Sequence, residues 1–222
     1  MIIISLEGNI GAGKTTLLSE MEKRYATSSK IKFLREPVDE WANIKDKEGN
    51  TILSKFYADP KTYAFAFQIM AYSTRLRALQ QLVADNPECR MIICERSLDA
   101  DKHIFAKMLH DDGTIESVMY QIYEKYFDLY ESRFQLNAVI YVNTYPEICF
   151  QRVSKRAREG ESVIPLEYLK NCHSYHQKWL TSTGVQVLHL NTNAEATFDL
   201  SNIEDPGTIW LNQIDVFIYK VK

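Results

Sequence analysis

Near the start of the chain, Gly8-Asn9-Ile10-Gly11-Ala12-Gly13-Lys14-Thr15 fills every fixed position of the pattern G-x-x-x-x-G-K-S/T, with Thr16 directly after it. Residues of these types at this spacing suit polyphosphate binding. The loop's backbone N–H groups and a helix N-terminus point at phosphate oxygens, Lys14 reaches the β and γ oxygens, and the Thr15 hydroxyl can ligate Mg²⁺. Three further groups carry charge suited to the same chemistry. Glu36 stands in Arg35-Glu36-Pro37-Val38-Asp39-Glu40-Trp41, and Glu95-Arg96-Ser97 forms a second acidic and basic step. Arg152 and Arg156 are four residues apart, so on a helix they share one face, with Arg158 just beyond. Planar guanidinium forks match phosphate oxygens.

These side chains need a scaffold that brings distant segments to one place. Short apolar runs alternate with longer helical stretches along the chain, the pattern of an α/β fold around a parallel sheet. Strands are expected at 1–6, 31–35, 90–94, 138–143 and 185–190. Helices are expected at about 14–26, 51–58, 61–85, 98–110, 114–131, 146–158 and 165–182, with Pro60, Pro146 and Pro165 as breaks or first-turn residues. In such a sheet ligands gather at the carboxyl ends of the strands. Three strand ends, after 6, 35 and 94, then carry the phosphate loop, Glu36 and Glu95-Arg96. The tail from Asn191 to Gly207 is polar, and the amphipathic piece with Ile209, Trp210, Ile214, Phe217, Ile218 and Val221 fits either a helix or a strand.

On the helix expected at 61–85, Gln68, Ala71 and Arg75 are three and four apart and share a face. A buried arginine needs a partner. An amide side chain is donor and acceptor at once. Aromatics at helical spacing are core more often than ligand contacts, and Tyr63, Phe65 and Tyr72 are read as packing. Lys155 is read as a solvated surface residue.

The bulk properties bound the partners. The 222 residues carry a net charge of −3 with acids and bases interspersed, so neither a nucleic-acid footprint nor a membrane-binding basic stripe is present. A small-molecule ligand is expected, with no nucleic acid and no membrane. Cys89, Cys94, Cys149 and Cys172 have no C-x-x-C spacing, which points to reduced thiols in a cytoplasmic protein. No basic region precedes the first apolar run and the glycines cut it short, so neither a signal peptide nor a transmembrane helix is expected there.

The phosphate loop, Glu36-Pro37-Val38 with Trp41, Glu95-Arg96-Ser97, and Arg152, Arg156 and Arg158 followed by Ile164-Pro165-Leu166-Glu167-Tyr168-Leu169 together resemble the deoxynucleoside kinase family, particularly its deoxycytidine and deoxyguanosine kinase branch. The motifs keep the family's order and spacing from residue 1 to about residue 190. The resemblance implies a P-loop kinase fold in a single domain over residues 1–222, with a central five-stranded parallel sheet and an arginine-rich lid at about 152–164. It implies ATP or another NTP as donor with Mg²⁺, a deoxynucleoside 5′-hydroxyl as acceptor, nucleotide salvage, and a homodimer.

By the same resemblance, residues 8–16 (Gly8, Asn9, Ile10, Gly11, Ala12, Gly13, Lys14, Thr15 and Thr16) hold the donor phosphates, and Glu36 is the general base. Arg96 bonds Glu36 and the hydroxyl region, and Thr15 and Glu95 position the metal. Arg152, Arg156 and Arg158 neutralise the transferring phosphoryl group. Gln68 reads the base edge, Arg75 and Asp101 pair beneath it, and Trp41, Phe67 and Phe105 wall it. Tyr57 and Glu161 hold the sugar 3′-hydroxyl. Members that favour thymidine typically lack the Arg and Asp pair and are bulkier near Ala71, so deoxyadenosine, deoxyguanosine and deoxycytidine are expected over thymidine. Thymidylate kinases share the loop and an Arg-Glu-Pro step but usually continue it with Gly-Gly-Thr, where Val38-Asp39-Glu40 stands here. A non-catalytic relative would tolerate loss of Lys14, Glu36 or the lid arginines, and all are present.

Overall fold

The expected apolar runs form five strands in a computed structural model that describes residues 1–129, 133–156 and 163–221. The strands are β1 (Ile2–Gly8), β2 (Ile31–Leu34), β3 (Met91–Glu95), β4 (Ala138–Asn143) and β5 (Gln186–Asn191). They build one sheet in the order β2-β3-β1-β4-β5, and every pairing is parallel. The central strands are mostly apolar and almost wholly buried, as a parallel sheet covered by helices requires, while the edge strands β2 and β5 are only partly covered.

Ten helices are present among the described residues: α1 (Lys14–Arg24), α2 (Val38–Trp41), α3 (Ile52–Ala58), α4 (Pro60–Asp85), α5 (Leu98–Ala100), α6 (Lys107–Asp111), α7 (Ser117–Asp128), α8 (Pro146–Arg156), α9 (Leu166–Ser182) and α10 (Pro206–Lys220). Side-chain period sorts the core into layers. Ile4 and Leu6 of β1 pack with Leu17, Leu18 and Met21 of α1 and Ile214 and Ile218 of α10, whereas Ile3 belongs with Phe56, Phe67 and Tyr72. Val139 and Tyr141 of β4 pack against Trp179 and Leu180 of α9. No helix is long and apolar enough to cross a membrane among the described residues.

Two elements differ from the sequence reading, and a third settles an alternative that it left open. The stretch 98–110 is not one helix: a π-helical segment, Asp101–Ala106, separates α5 from α6. Such segments are frequent at functional sites, and this one carries Asp101 and Phe105. The turn after Pro37 winds into the short α2. The C-terminal amphipathic piece is a helix. Asp205 caps it by accepting the Thr208 N–H at 3.0 Å, Pro206 opens its first turn, and Leu211, Ile214 and Ile218 recur at helical spacing on the buried side. The same Asp205 carboxylate accepts from Thr197 and Phe198, which ties the polar tail to the helix start.

Candidate active site

The carboxyl ends of β1, β2 and β3 open on one cavity of about 470 Å³, within the size range of small-molecule sites. Its donor end is the loop after β1. Gly8 and Gly11 have φ of +150° and +79°, and a Cβ on either would sit 2.6 Å from a backbone carbonyl, of Val142 and Cys149 respectively. Glycine is needed there for conformation and for close approach. The Lys14 ammonium donates to the carbonyls of Gly8 and Asn9 at 3.2 and 2.9 Å, folded back along its own loop. Asn9 braces the loop by donating to the Leu169 carbonyl at 2.8 Å and accepting the Ile10 N–H at 2.9 Å. Arg152 donates to the carbonyls of Ala12 and Thr192, at 3.2 and 3.3 Å, so α8 is tied to the loop's rim. Ile10, Gly11, Gly13, Lys14, Thr15, Thr16, Arg152 and Arg156 line the cavity, while Gly8, Asn9 and Ala12 lie behind it.

Thr15 and Glu95 meet at the adjacent strand ends. The Thr15 hydroxyl donates to Glu95 Oε1 at 2.7 Å. Two hard oxygens side by side, next to a phosphate loop, fit a Mg²⁺ ion that takes most of its ligands from water and phosphate. No cluster of three or more His, Cys, Asp or Glu side chains suited to a metal occurs among the described residues.

The acceptor end is an ion-paired network. Glu36 Oε1 meets Arg75 Nη2 at 2.7 Å and Arg96 Nε at 3.2 Å, and the other side of the Arg75 fork donates to Asp101. Burial pulls the Glu36 carboxyl upward, but Arg96, Arg75 and Lys14 outweigh it and hold its pKa below the ordinary glutamate value. Burial works against the Arg75 charge, and Asp101 and Glu36 more than offset that, so its pKa is raised. For Asp101, burial dominates and raises the pKa, with Arg75 offsetting it in part.

Arg96 adopts φ 65°, a left-handed conformation that costs a non-glycine residue roughly 1–2 kcal/mol. In that pose its guanidinium lies 4.6 Å over the Phe105 ring, and Nη1 has no hydrogen-bond partner among the described residues. Gln68 Oε1 and Arg75 Nε are likewise buried without partners. Unmet donors and acceptors on a cavity wall are what a polar ligand would satisfy.

Around them Trp41 packs edge-on to Phe67 at 5.5 Å, and Tyr57, Ala71 and Phe105 complete the expected lining. The expected sites Arg158 and Glu161 lie outside the described residues, as does the end of the helix expected to reach 158. Sequence reasoning did not single out Leu53, Phe56 and Tyr168, which also line the cavity. Phe56 stacks on Phe67 at 4.7 Å with the rings 5° from parallel, and Tyr168 meets Tyr57 edge-on at 6.1 Å. Leu53 and Phe56 sit three apart on α3, one face with Tyr57, and that spacing was the available signal.

The deoxynucleoside kinase family model matches residues 4–218. The chain belongs to the deoxynucleoside kinase family. It is 35% identical to a probable deoxycytidine kinase of fowlpox virus over 217 residues, covering 91% of this chain and 86% of that protein. It is 34% identical to deoxycytidine kinase 2 of Gallus gallus, covering 83% and 76% of the two chains. Mitochondrial thymidine kinase 2 of Macaca fascicularis is 33% identical, with 80% and 64% covered. The five-stranded parallel sheet is the P-loop kinase fold of this family. Relatives named for cytosine and for thymine bases both align with this kinase, so its base preference has to be argued from its own pocket.

Proposed function

We propose that this protein transfers the γ-phosphoryl group of ATP or another NTP to the 5′-hydroxyl of deoxyadenosine, deoxyguanosine or deoxycytidine in preference to thymidine, as a salvage enzyme. The observation that carries this reading is the single cavity in which Glu36 and Arg96 stand between the Lys14-Thr15 phosphate loop and the pocket of Gln68, Arg75 and Asp101. The loop and Arg152 take the donor phosphates, and Thr15 and Glu95 would hold Mg²⁺, which when bound would neutralise phosphate charge. Both arginine contacts fall on Glu36 Oε1, so proton acceptance falls to Oε2. As the 5′-oxygen bonds to phosphorus, its proton passes to Glu36, the bond to the leaving diphosphate breaks, and Arg96 stabilises the oxygens between.

The base preference follows from donor and acceptor chemistry. The Asp101 carboxylate is an acceptor that suits the exocyclic amines of adenine and cytosine, and the spare Arg75 Nε–H suits a carbonyl or ring nitrogen such as guanine presents. Thymine offers a carbonyl and a methyl where adenine and cytosine offer an amine. The small Ala71 leaves room for a purine. A coupled assay offering deoxyadenosine, deoxyguanosine, deoxycytidine, thymidine and thymidine monophosphate tests the reading. Turnover of the first three above thymidine, with none of the monophosphate, is expected. Turnover of the monophosphate alone would overturn it, and binding without turnover in folded protein given Mg²⁺ and ATP would favour a non-catalytic relative.

Donor binding should also depend on pH in a defined direction. Burial, then the Arg96 charge, lowers the Lys14 pKa to about 8, with Glu95, Glu36 and Glu7 opposing. Between that value and the ordinary lysine range the unfolded chain binds the extra proton, so this group's contribution to the ligand-free protein's stability rises with pH through that window. ATP affinity moves the other way, because a neutral amine no longer attracts phosphate. Calorimetric titrations from about pH 7 to 9.5 should show weakening that sets in near the Lys14 pKa of about 8 and continues above it, and Lys14→Arg should remove that onset because guanidinium does not titrate there. Equal affinity across the range would remove Lys14 from donor recognition.

A further inference from the structure

Glu7 is the one charged residue in β1, and its side chain is fully buried on this central strand. Its Oε1 accepts two donors from a single residue, the Ser97 N–H at 2.8 Å and the Ser97 hydroxyl at 2.7 Å, while Oε2 has no partner among the described residues. The residue before Ser97 is Arg96, the strained left-handed position. Arg96 donates its own N–H to the Leu6 carbonyl at 3.1 Å. Two consecutive residues of β1 therefore grip the corner, Leu6 through its carbonyl at residue 96 and Glu7 through its side chain at residue 97. Ser97 Oγ in turn accepts the Ala100 N–H at 3.0 Å, which ties the corner to the start of α5. A strained backbone persists only where its surroundings over-determine it. An apolar side chain at position 7 would leave the Ser97 N–H buried and unpaired.

We propose that Glu7 is a positioning residue of the phosphoryl-transfer site: by accepting both Ser97 donors it locks Arg96 in the left-handed turn that brings the guanidinium to Glu36 and over Phe105. The inference rests on the kinase reading above, in which Arg96 acts at the reacting oxygens. Both Ser97 donors meet the single oxygen Oε1, so the role asks for an acceptor oxygen at that place; burial raises the Glu7 pKa, with Arg96, Ser97 and Ser5 offsetting this only in part.

The test measures kcat and both KM values for Glu7→Ala and Glu7→Gln, each made with Arg96 present and in an Arg96→Ala background, with hydrogen exchange at the Ser97 amide. With Arg96 present, Glu7→Ala should lower kcat by roughly 10²-fold, the scale of a 1 Å misplacement, with KM for ATP changed by less than about twofold. Glu7→Gln keeps an acceptor and should restore most of kcat. In Arg96→Ala, adding Glu7→Ala should cost less than about twofold, because the effect runs through Arg96. Equal losses in both backgrounds, a glutamine variant as poor as alanine, or normal kcat in Glu7→Ala would each overturn the proposal. Should Glu7→Ala not fold, Glu7→Asp, one methylene too short to reach Ser97, takes its place with the same expected pattern. Wild-type protein that turns over no deoxynucleoside would sink the kinase reading instead. The clamp is then judged by exchange alone: Ser97 protection lost in Glu7→Ala and kept in Glu7→Gln supports it, and protection unchanged in both overturns it.

Discussion

Glu36→Gln is expected to lower kcat by at least about two orders of magnitude while deoxynucleoside binding survives, the scale of a lost general base. The amide keeps an oxygen where Arg75 and Arg96 now contact Oε1, so the pocket retains its framework while losing its proton acceptor. Three cations hold the Glu36 pKa below the ordinary glutamate value, which makes the group a weak base. Two considerations reconcile that weakness with the role. The group is fully ionised at neutral pH, so no fraction of the enzyme waits for deprotonation. Phosphoryl transfer passes through a loose transition state in which the hydroxyl proton becomes acidic only as the new bond forms, so little basicity is required. Wild-type kcat should accordingly stay flat as pH falls from neutral to the ordinary glutamate range, and decline only as pH passes through the depressed Glu36 pKa. Calorimetry on the variant separates binding from turnover. A variant with near-normal kcat would remove Glu36 from the mechanism.

Much of this architecture was legible before any coordinates. The phosphate loop announces itself because three glycines, a lysine and a threonine serve one geometric purpose, and the strands announce themselves because parallel strands covered by helices are mostly apolar runs. The rule that ligands gather at the carboxyl ends of a parallel sheet then puts residues 36 and 95 on the loop's side, and the strand order seen in the structure sets them beside it. What was not legible depends on backbone states that sequence patterns do not encode. Arg96 at φ 65° has no glycine to mark it, and the π-helical turn that aims Asp101 and Phe105 has the composition of an ordinary helix. The expected partner of Arg75 was Asp101 alone. The structure adds Glu36 on the other side of the guanidinium, linking the base pocket to the reacting centre. Glu7 does carry a signal in the sequence, a carboxylate inside a mostly apolar strand. The C-terminal helix was ambiguous because its apolar residues fit two periods until a capping aspartate and a following proline settled its start.

The link through Arg75 makes the pair with Asp101 the place where base choice and stability meet. Asp101→Ala leaves Arg75 buried with Glu36 as its remaining carboxylate contact, and removing one partner of a buried ion pair costs about 3–5 kcal/mol. Against a domain stability of about 5–15 kcal/mol, that loss should lower the unfolding midpoint in denaturant visibly. Replacing both members, Arg75→Met with Asp101→Ala, exchanges these two charges for apolar contact beside Trp41 and leaves Glu36 with Arg96, so it should recover part of the loss, since apolar replacement of a buried pair is often neutral or stabilising. Turnover should fall for every substrate, because Arg75 no longer fixes Glu36. The informative quantity is therefore a ratio. Without the Asp101 acceptor, adenine and cytosine lose their amine contact, and thymine no longer sets its carbonyl against a carboxylate. The ratio of kcat/KM for thymidine to that for deoxycytidine should rise by on the order of 10-fold or more, the scale of one lost polar contact. A double variant no more stable than Asp101→Ala would show that the pair is not the energetic unit described. An unchanged ratio would show that the base is chosen elsewhere in the pocket, with Gln68 and the volume beside Ala71 as the groups left to choose it.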